Sequence, residues 1–265
     1  MAGGTAAPVA IVTGAARGIG LATARWFLAR GWRVAVTDKD GPALAAAHAQ
    51  LQQESPGRIN APVCDVSEPA QVQALVDGVE AAWGRIDALV NNAGTAVFKH
   101  LVSTTFEEWR HVMATNLDGA FLCSQACVPV MRRQGGGSIV NIASISGLRA
   151  STMRVAYGTS KAALIHLTRQ QAVELALFGI RCNAIAPGPV ETAMAKQVHT
   201  PAIRADYHDT IPLARYGTEE EIAAAIGFLC LPEASYITGQ VLAVDGGFEA
   251  AGVGLPTLRR DFSGT

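Results

Sequence analysis

Residues 13–20 read Thr-Gly-Ala-Ala-Arg-Gly-Ile-Gly, and this stretch decides the fold. It follows a short apolar run, Val9–Thr13, with the character of a buried strand, and it precedes a segment of helical spacing at 18–30. A glycine-rich turn in this position makes a tight reversal, lets the backbone approach a pyrophosphate closely, and directs a helix N-terminus at its charge. A turn that merely has to be small would use glycine too, so the motif needs support from elsewhere. The candidate binding residues of the turn are Gly14, Arg17, Gly18, Ile19 and Gly20.

Strand-like and helical segments alternate from this turn onward. The other predicted strands are Arg33–Thr37, 61–64, 86–90, 138–142, 180–185 and Val241–Val244, and the other predicted helices are 68–83 (capped by Ser67), 106–133, 155–178 and 219–231. The strands are continuous apolar runs, which is typical of a parallel sheet covered by helices on both faces. The sequence therefore predicts one doubly wound α/β Rossmann domain over residues 1–265 with a seven-stranded parallel sheet. An irregular substrate loop at 187–217 and a tail at about 249–265 interrupt the alternation.

Composition excludes several classes of function. Lys plus Arg total 21 and Asp plus Glu total 22, so a net charge of -1 gives no reason to expect nucleic acid or an anionic membrane as a partner. We expect no membrane span and no signal peptide, because the chain lacks the long apolar run and the N-terminal pattern that these need. The five cysteines have no CxxC spacing, and we expect reduced, mostly buried thiols in a cytoplasmic protein without a bound metal.

Asp38 supports a dinucleotide site, since it ends the second predicted strand 18 residues after Gly20. An acidic residue there accepts hydrogen bonds from the adenosine ribose and repels a 2′-phosphate, which favours NAD over NADP. Arg17 and Lys39 point the other way, because both could lie near a 2′-phosphate. We give Asp38 the greater weight, since an uncompensated like-charge contact is costly while exposed basic side chains are often only solvated.

Two further segments follow strands and face the same crevice. Asp65 and Val66 come just after the third predicted strand, where they would meet the adenine, although Asp65 could also act as a helix cap beside Ser67. Small and amide residues follow the fourth predicted strand, and they suit the side of a flat cofactor at the carboxyl ends of the strands. These candidates are Asn92, Ala93 and Gly94.

Tyr157 and Lys161 are four residues apart and share one face of a predicted helix. A free tyrosine has a pKa near 10, and a lysine ammonium nearby favours the phenolate. Bringing that pKa to about 7 needs about 4 kcal/mol, which we expect from Lys161 and an oxidised nicotinamide together. The YxxxK spacing alone is weak evidence.

Ser144 and Asn116 add weight to that spacing. Ser144 lies 13 residues before Tyr157, where its hydroxyl could hydrogen-bond a substrate oxygen and orient it, although Ser146 competes for the role. Asn116 lies inside a predicted long helix, where asparagine is unfavourable and needs a reason. Holding a water near Lys161 in a proton relay is one such reason.

These motifs resemble the single-domain short-chain dehydrogenase/reductase family, over about residues 8–248. The shared features, in family order, are TGAARGIG at 13–20, Asp38, Asp65-Val66, NNAG at 91–94, Asn116, Ser144, Tyr157-x-x-x-Lys161, Pro187-Gly188 and Asp245-Gly246-Gly247. The resemblance implies that Asn116, Ser144, Tyr157 and Lys161 are catalytic, and that Lys161 also holds the nicotinamide ribose. It implies that Pro187, Gly188, Val190 and Thr192 clasp the nicotinamide. It also implies a homotetramer or homodimer built partly through helices 106–133 and 155–178.

The predicted function is hydride exchange between NAD(H) and a small secondary alcohol or its ketone, with Tyr157 as general acid and base. The predicted pocket walls are 95–98, 145–148, Met153 and 190–216, and they allow a polyol as well as an apolar ketone. One alternative is a carrier-bound 3-oxoacyl reductase, which would prefer NADPH and a basic surface, and Asp38 and the near-neutral charge disfavour both. The other is a non-catalytic dinucleotide-sensing or scaffold protein, which usually lacks the Tyr or the Lys.

Overall fold

All seven strands join one parallel sheet. The computed structural model describes residues 7–257, apart from the side chains of residues 194 and 197. The strands are β1 (Val9–Thr13), β2 (Arg33–Thr37), β3 (Ile59–Asn60), β4 (Ala88–Asn91), β5 (Gly137–Ile142), β6 (Ile180–Pro187) and β7 (Val241–Val244). Their spatial order is β3-β2-β1-β4-β5-β6-β7, and every pairing is parallel. The predicted doubly wound α/β fold with a seven-stranded parallel sheet is confirmed.

Helices connect the strands. They are α1 (Gly18–Leu28), α2 (Gly41–Glu54), α3 (Pro69–Trp83), α4 (Phe106–Met113), α5 (Gly119–Arg133), α6 (Ile145–Leu148), α7 (Val155–Leu175), α8 (Ala193–Val198), α9 (Pro201–Thr210) and α10 (Glu219–Cys230). A capping box begins α10, with the Thr218 side chain and Glu221 bonded reciprocally. None of the helices in the described part of the chain is long and apolar enough to cross a membrane.

Both faces of the sheet are buried. On one face Val12 of β1 joins a cluster with Phe27 of α1, and on the other Ile11 joins a cluster with Val76 of α3. Alternate residues of a strand point to opposite faces, so a strand buried on both sides must be apolar throughout. All five cysteines are buried and free, and they pack among these apolar side chains.

The chain reverses its direction of travel across the sheet between β1 and β4. From β1 the strands add outward to β2 and β3, whereas β4 starts the series that adds to β7 on the other side. The connections on the two sides cover opposite faces, which leaves a crevice at the carboxyl ends of β1 and β4. The glycine turn after β1 and residues 91–94 after β4 both open into this crevice.

The third strand lies earlier than predicted. It occupies Ile59–Asn60 rather than 61–64, and beyond it only one isolated bridge joins Val63 to Asp38. Pro62 has no N–H to donate to a strand ladder, which ends regular pairing there. Ser67 does not cap α3 as predicted, because Glu68 holds the N-cap position, without a side-chain cap bond.

The predicted long helix at 106–133 is interrupted. A π-helical turn, Ala114–Asp118, separates α4 from α5 and carries Asn116. The predicted irregular loop at 187–217 is wrong in part, since it contains α8 and α9. Thr192 and Thr200 cap these helices through their side chains, which explains why both begin where they do. Of the predicted tail, residues 258–265 lie outside the described residues.

Candidate active site

Backbone packing dictates part of the glycine turn. Gly14 and Gly18 have φ of +62° and +61°, a left-handed conformation that glycine adopts without strain. A Cβ on Gly14 would lie 2.7 Å from Ala93 Cα, and one on Gly20 would lie 2.4 Å from Gly14 O. Above Gly18 there is room, since the nearest atom to a Cβ would be Glu219 Oε1 at 3.7 Å. The fold itself therefore requires Gly14 and Gly20, whereas Gly18 keeps the crevice open.

The N-terminus of α1 points into the crevice. Arg17 is its N-cap residue and makes no side-chain cap hydrogen bond to the helix. The first N–H groups of a helix lack helical partners and carry the positive end of the helix dipole. Gly18 and Ile19 of this turn line the cavity beside it. Such an end can bind an anion such as a pyrophosphate.

Asn92 ties the loop after β4 to the end of β1. Its Nδ2 donates to the carbonyls of Thr13 and Gly14, both at 2.9 Å. The N–H groups of Asn92 and Ala93 both donate to Thr13 Oγ1, at 3.0 Å. The two loops therefore form one unit, and Asn92 and Ala93 have structural roles that their motif did not reveal.

Asp38 ends β2 beside the turn. Its carboxylate accepts the Ala16 N–H at 3.3 Å and the Asp40 N–H at 3.0 Å. The two basic residues that compete with it are paired with other carboxylates. Arg17 forms an ion pair with Asp40, and Lys39 Nζ lies 3.8 Å from Asp65 Oδ2. These partners reduce the positive charge that the basic residues offer to a ligand.

Asp65 and Val66 organise the loop before α3. Asp65 Oδ1 accepts the N–H and the hydroxyl of Ser67, at 3.0 and 2.7 Å. Val66 is buried, and a Cβ on Gly119 of α5 would lie 2.6 Å from Val66 Cγ2. The local role predicted as the alternative for Asp65 is therefore present, although it stabilises a turn rather than capping the helix.

A cavity of about 310 Å³ lies at the carboxyl ends of β4 to β6. The predicted site residues that line it are Arg17, Gly18, Ile19, Asn92, Gly94, Ser144, Tyr157, Lys161, Pro187, Gly188, Val190 and Thr192. The predicted site residues outside its lining are Gly14, Gly20, Asp38, Asp65, Val66, Ala93 and Asn116. The structure thus brings Ser144, Tyr157 and Lys161 together with the start of α1 in one cavity. The candidate adenosine residues Asp38, Asp65 and Val66 lie outside it.

Tyr157 and Ser144 meet in this cavity. The Tyr157 hydroxyl is hydrogen-bonded to the Ser144 side chain. Burial raises the pKa of Tyr157, and the Ser144 hydrogen bond and the positive charge of Arg154 offset that rise only in part. Ser146 also lines the cavity, but its hydroxyl pairs with that of Ser151 at 3.0 Å. Ser144 is therefore the serine in contact with Tyr157.

Lys161 is almost fully buried beneath the cavity. Its Nζ donates to the carbonyl of Ile142 at 2.6 Å and lies 5.7 Å from the Tyr157 ring centroid. Burial lowers the pKa of Lys161 to about 8. In the protein by itself, the positive charge that lowers the pKa of Tyr157 is that of Arg154.

Asn116 is placed by the π-helical turn. Its Oδ1 accepts the Thr95 N–H at 2.8 Å, and its Nδ2 donates to the Thr95 carbonyl at 2.9 Å and to Ser160 Oγ at 3.0 Å. Ser160 Oγ in turn donates to the Tyr157 carbonyl at 2.7 Å. Asn116 therefore fixes the loop after β4 against α7, a role that the sequence did not predict. Such π-turns occur frequently at functional sites.

The segment after β6 covers the cavity. The Gly188 N–H donates to the Val244 carbonyl at 3.0 Å, and Thr192 Oγ1 accepts the Ala195 N–H at 3.1 Å to cap α8. Arg204 of α9 donates two hydrogen bonds to Glu191, at 2.6 and 2.7 Å. This bidentate pair holds α9 against the start of the segment.

Three polar residues of the cavity belong to no sequence motif, although His199 and Tyr207 lie within the predicted wall at 190–216. Arg154 precedes α7, and His199 and Tyr207 come from the covering segment. His199 Nδ1 lies 2.9 Å from the Tyr216 hydroxyl, and its ring stacks on Tyr207 with centroids 5.3 Å apart. Burial lowers the pKa of His199, and the charges of Arg154 and Arg204 lower it further. Arg154 lies outside every predicted wall, so only its proximity to Tyr157 could have marked it.

Comparison with known proteins finds relatives along almost the whole chain. The family model described as enoyl-(acyl carrier protein) reductase matches residues 14–249. A 3-oxoacyl-(acyl-carrier-protein) reductase of Thermotoga maritima is 40% identical over 242 residues, covering 90% of this chain and 96% of that protein. Galactitol 2-dehydrogenase (L-tagatose-forming) of Cereibacter sphaeroides is 41% identical over 242 residues, covering 90% and 94%.

A solved structure matches equally broadly. The crystal structure of levodione reductase has a TM-score of 0.88 and 36% identity, and the match covers 93% of this chain and 100% of that chain. The names of these relatives describe reductases and dehydrogenases of dissimilar substrates. The likeness therefore indicates a shared reaction type and leaves the substrate open.

Proposed function

The chain belongs to the short-chain dehydrogenase/reductase family and is an oxidoreductase of that family, and on this premise we propose that it transfers a hydride between NAD(H) and a secondary alcohol or its ketone. The observation that carries the proposal is the cavity in which Tyr157, Ser144 and Lys161 lie beside the N-terminus of α1. An acid/base group, an orienting hydroxyl and an anion-binding helix end in one cavity suit this reaction better than a passive binding site.

The residues present fit a dinucleotide. The uncapped start of α1 and the open space at Gly18 would hold the pyrophosphate, Asp38 the adenosine ribose, and Asp65 and Val66 the adenine side. Lys161 has donors left for the nicotinamide ribose after bonding Ile142. When bound, the nicotinamide supplies the hydride acceptor or donor. Asn92, Ala93 and Gly94 would flank it, and Pro187, Gly188, Val190 and Thr192 would close over it.

The preference for NAD rests on charge. Asp38 would repel a 2′-phosphate, and carboxylate partners offset Arg17 and Lys39. We expect a lower KM for NAD than for NADP, and we expect Asp38→Ser to lower the KM for NADP by about tenfold, which is about 1.4 kcal/mol. Initial rates with both cofactors measure this. A wild-type enzyme with the lower KM for NADP would refute the preference.

Tyr157 exchanges the proton in the proposed reaction. Its raised pKa keeps the hydroxyl protonated in the protein by itself, which is the form that donates to a ketone oxygen in the reducing direction. Ser144, bonded to the same hydroxyl, would orient that oxygen. In the oxidising direction Tyr157 as phenolate accepts the alcohol proton.

A path for that proton runs past Gly94. A Cβ on Gly94 would lie 3.4 Å from Asn116 Oδ1 and 3.5 Å from Lys161 Nζ, so the glycine keeps space open between the two groups. A water in that space would link Lys161 to Asn116, as predicted from the sequence. In this proposal Lys161 takes part in the proton transfer, and Asn116 holds the water through which the proton passes.

The second candidate is a 3-oxoacyl reductase, which the relative from Thermotoga maritima favours. Its reaction would use the same Tyr157, Ser144 and Lys161. It would need a basic surface for an acidic carrier, and the net charge of -1 gives the chain no overall excess of positive charge. Turnover of a 3-oxoacyl thioester on the carrier at a rate above that of any free ketone would favour this candidate.

The proposal includes assembly through α4, α5 and α7, as a homodimer or homotetramer. Apolar side chains are exposed on these helices and on the turn that follows α7, namely Phe106, Phe121, Val173 and Leu177. Val173 is 77% exposed, which is unusual for valine on a helix that packs against a sheet. Sedimentation of the purified chain tests this, and a monomer at all concentrations would refute it.

The activity itself is tested with a panel of secondary alcohols, sugars and hydroxy acids, followed by the absorbance of NADH at 340 nm. We expect turnover with at least one member and none without cofactor. Cofactor binding without turnover across the panel, and across the matching ketones with NADH, would support a dinucleotide-sensing protein instead.

A further inference from the structure

Arg154 brings a positive charge into the cavity beside the reacting groups. Its guanidinium carbon lies 4.7 Å from the centroid of the Phe98 ring and 5.7 Å from that of the Tyr157 ring. An arginine over an aromatic ring is held by its flat face, which leaves its N–H groups pointing outward in the plane of the guanidinium. Arg154 is therefore positioned, and its hydrogen-bond donors remain usable.

Those donors have no protein partner in the part of the chain that the structure describes. Within residues 7–257, no carboxylate forms an ion pair with Arg154 and no acceptor takes a hydrogen bond from its guanidinium. Arg17, the other arginine that lines the cavity, differs because it is paired with Asp40, and Arg204 of α9 is paired with Glu191. A partly buried guanidinium has parallel N–H donors that need acceptors. A carboxylate or another oxyanion would accept two hydrogen bonds from them at once.

The rest of the lining contains no negative charge. No Asp or Glu is found among the described residues that line the cavity. On the substrate side Arg154 faces Phe98 and Val198, which are apolar, and His199 and Tyr207, which are polar. Positive and neutral groups without a carboxylate favour an acidic ligand over a basic one.

The backbone before Arg154 is strained. Met153 has φ of +59°, a left-handed conformation that a residue with a side chain rarely adopts. The Lys99 N–H donates to the Met153 carbonyl at 3.1 Å, and an isolated bridge joins Lys99 to Arg154. Strain of this kind persists only where surrounding contacts hold it, and it is concentrated at functional sites. Here it sets the direction from which Arg154 enters the cavity.

We infer that the substrate carries a carboxylate or another oxyanion a few bonds from its reacting carbon, and that Arg154 is the residue that binds it. This inference rests on the proposed function, because it places the carbonyl at Tyr157 and Ser144. The separation of 5.7 Å between the guanidinium carbon and the Tyr157 ring centroid favours a short acid in which both ends are held at once. Arg154 thereby selects oxo-acids and hydroxy acids over neutral ketones and polyols.

The test measures binding apart from turnover. The probes are 3-oxobutanoate, 4-oxopentanoate and 5-oxohexanoate, each with its primary amide, titrated calorimetrically into the enzyme saturated with oxidised cofactor, where a ketone cannot react. We expect at least one acid to bind wild type tenfold more tightly than its amide. Arg154→Gln should weaken that acid tenfold or more and the amide less than twofold, and Arg154→Lys should fall between.

Arg132→Gln is the matched control, since Arg132 also lies over a phenylalanine, 4.4 Å from the Phe178 centroid, on a surface away from the cavity. It should bind the acids as wild type does. Equal weakening of acid and amide in Arg154→Gln would overturn the inference, as would tighter binding of the amides or no binding of any acid. Turnover with NADH in the same preparations separates the two proposals. Acid-selective binding without turnover would overturn the proposed function alone, and equal turnover of acids and amides would overturn this inference alone.

Discussion

The glycine turn and the covering helices α8 and α9 border the same cleft, but different forces set their sequences. At the turn, Gly20 meets another backbone so closely that its Cβ would lie 2.4 Å from a carbonyl oxygen. At α9, Arg204 acts through a side-chain pair with Glu191, and other side chains could make an equivalent pair. Residues that the fold requires can therefore be recognised from the sequence as a motif. Residues that determine substrate specificity can vary on the same backbone, so they form no motif.

The largest expected effect lies where the two regions meet, at Tyr157. Tyr157→Phe removes the hydroxyl that we propose exchanges the proton, and we expect kcat to fall about 10³-fold while the Kd for cofactor stays within twofold of wild type. Tyr236→Phe is the control, because Tyr236 is fully exposed and away from the cavity. Steady-state rates and cofactor titration measure both variants. Near-normal turnover of Tyr157→Phe would show that another group carries the proton.

On the cofactor side, Gly20→Ala should destabilise the fold by about 3 kcal/mol, because its Cβ would overlap the backbone. Gly78→Ala is a matched change in another helix, where a Cβ would meet no atom within 4 Å. We expect that variant to be stabilised by about 0.5 kcal/mol, since alanine favours a helix over glycine. Urea unfolding compares the two. If the two substitutions changed the free energy of unfolding equally, close packing would not be the reason for glycine at position 20.

Lys161 differs from these glycines, because burying its charged side chain destabilises the folded protein. Its pKa falls to about 8 in the folded protein from 10.5, so the unfolded chain binds more protons between those values and stability should rise with pH there. Lys161→Met lacks this dependence. We expect wild type to gain about 2 kcal/mol over the variant between pH 7.5 and 9.5. Urea unfolding at several pH values tests this. If the difference in stability between wild type and Lys161→Met were the same at every pH, burial would not lower the pKa of Lys161.

The smallest effect is expected on the substrate side. Arg204→Met breaks the partly buried pair with Glu191, which should change stability little and raise the KM for substrate about threefold. The KM for cofactor should not change. Arg215→Met is the control, because Arg215 forms a similar bidentate pair with Glu221 outside the cavity. Equal effects of the two variants on substrate KM would remove α9 from the substrate site.

The sequence predicted the sheet because its strands are buried on both faces, which forces continuous apolar runs such as Val9–Thr13. It placed β3 too late, because Ala61 and Val63 are apolar like a strand but are separated by Pro62. It omitted α2, whose buried face consists of only Leu44, Ala47 and Leu51. A helix with so few core contacts has a weak pattern.

The sequence predicted the site residues that belong to short motifs. It did not predict those whose positions depend on tertiary contacts. Tyr157, Lys161 and Ser144 meet as their spacing suggested. The π-turn around Asn116 left no local signal, because it depends on contacts with Thr95 and Ser160, which are distant in sequence. The helix α9 did have one, since Thr200 followed by proline is a frequent helix start. Arg154 had none, because an arginine before a helix is common and only the cavity gives it meaning.

Deuterium transfer from labelled NADH to a ketone is the most direct test of the proposed hydride transfer. NADH carrying deuterium on the transferred position is incubated with the ketone that turns over fastest, and the alcohol product is analysed by mass spectrometry and NMR. We expect one deuterium on the carbinol carbon with wild type and no labelled alcohol with Tyr157→Phe in the same time. Alcohol formed without deuterium on that carbon, or equal labelled product from Tyr157→Phe, would contradict this expectation.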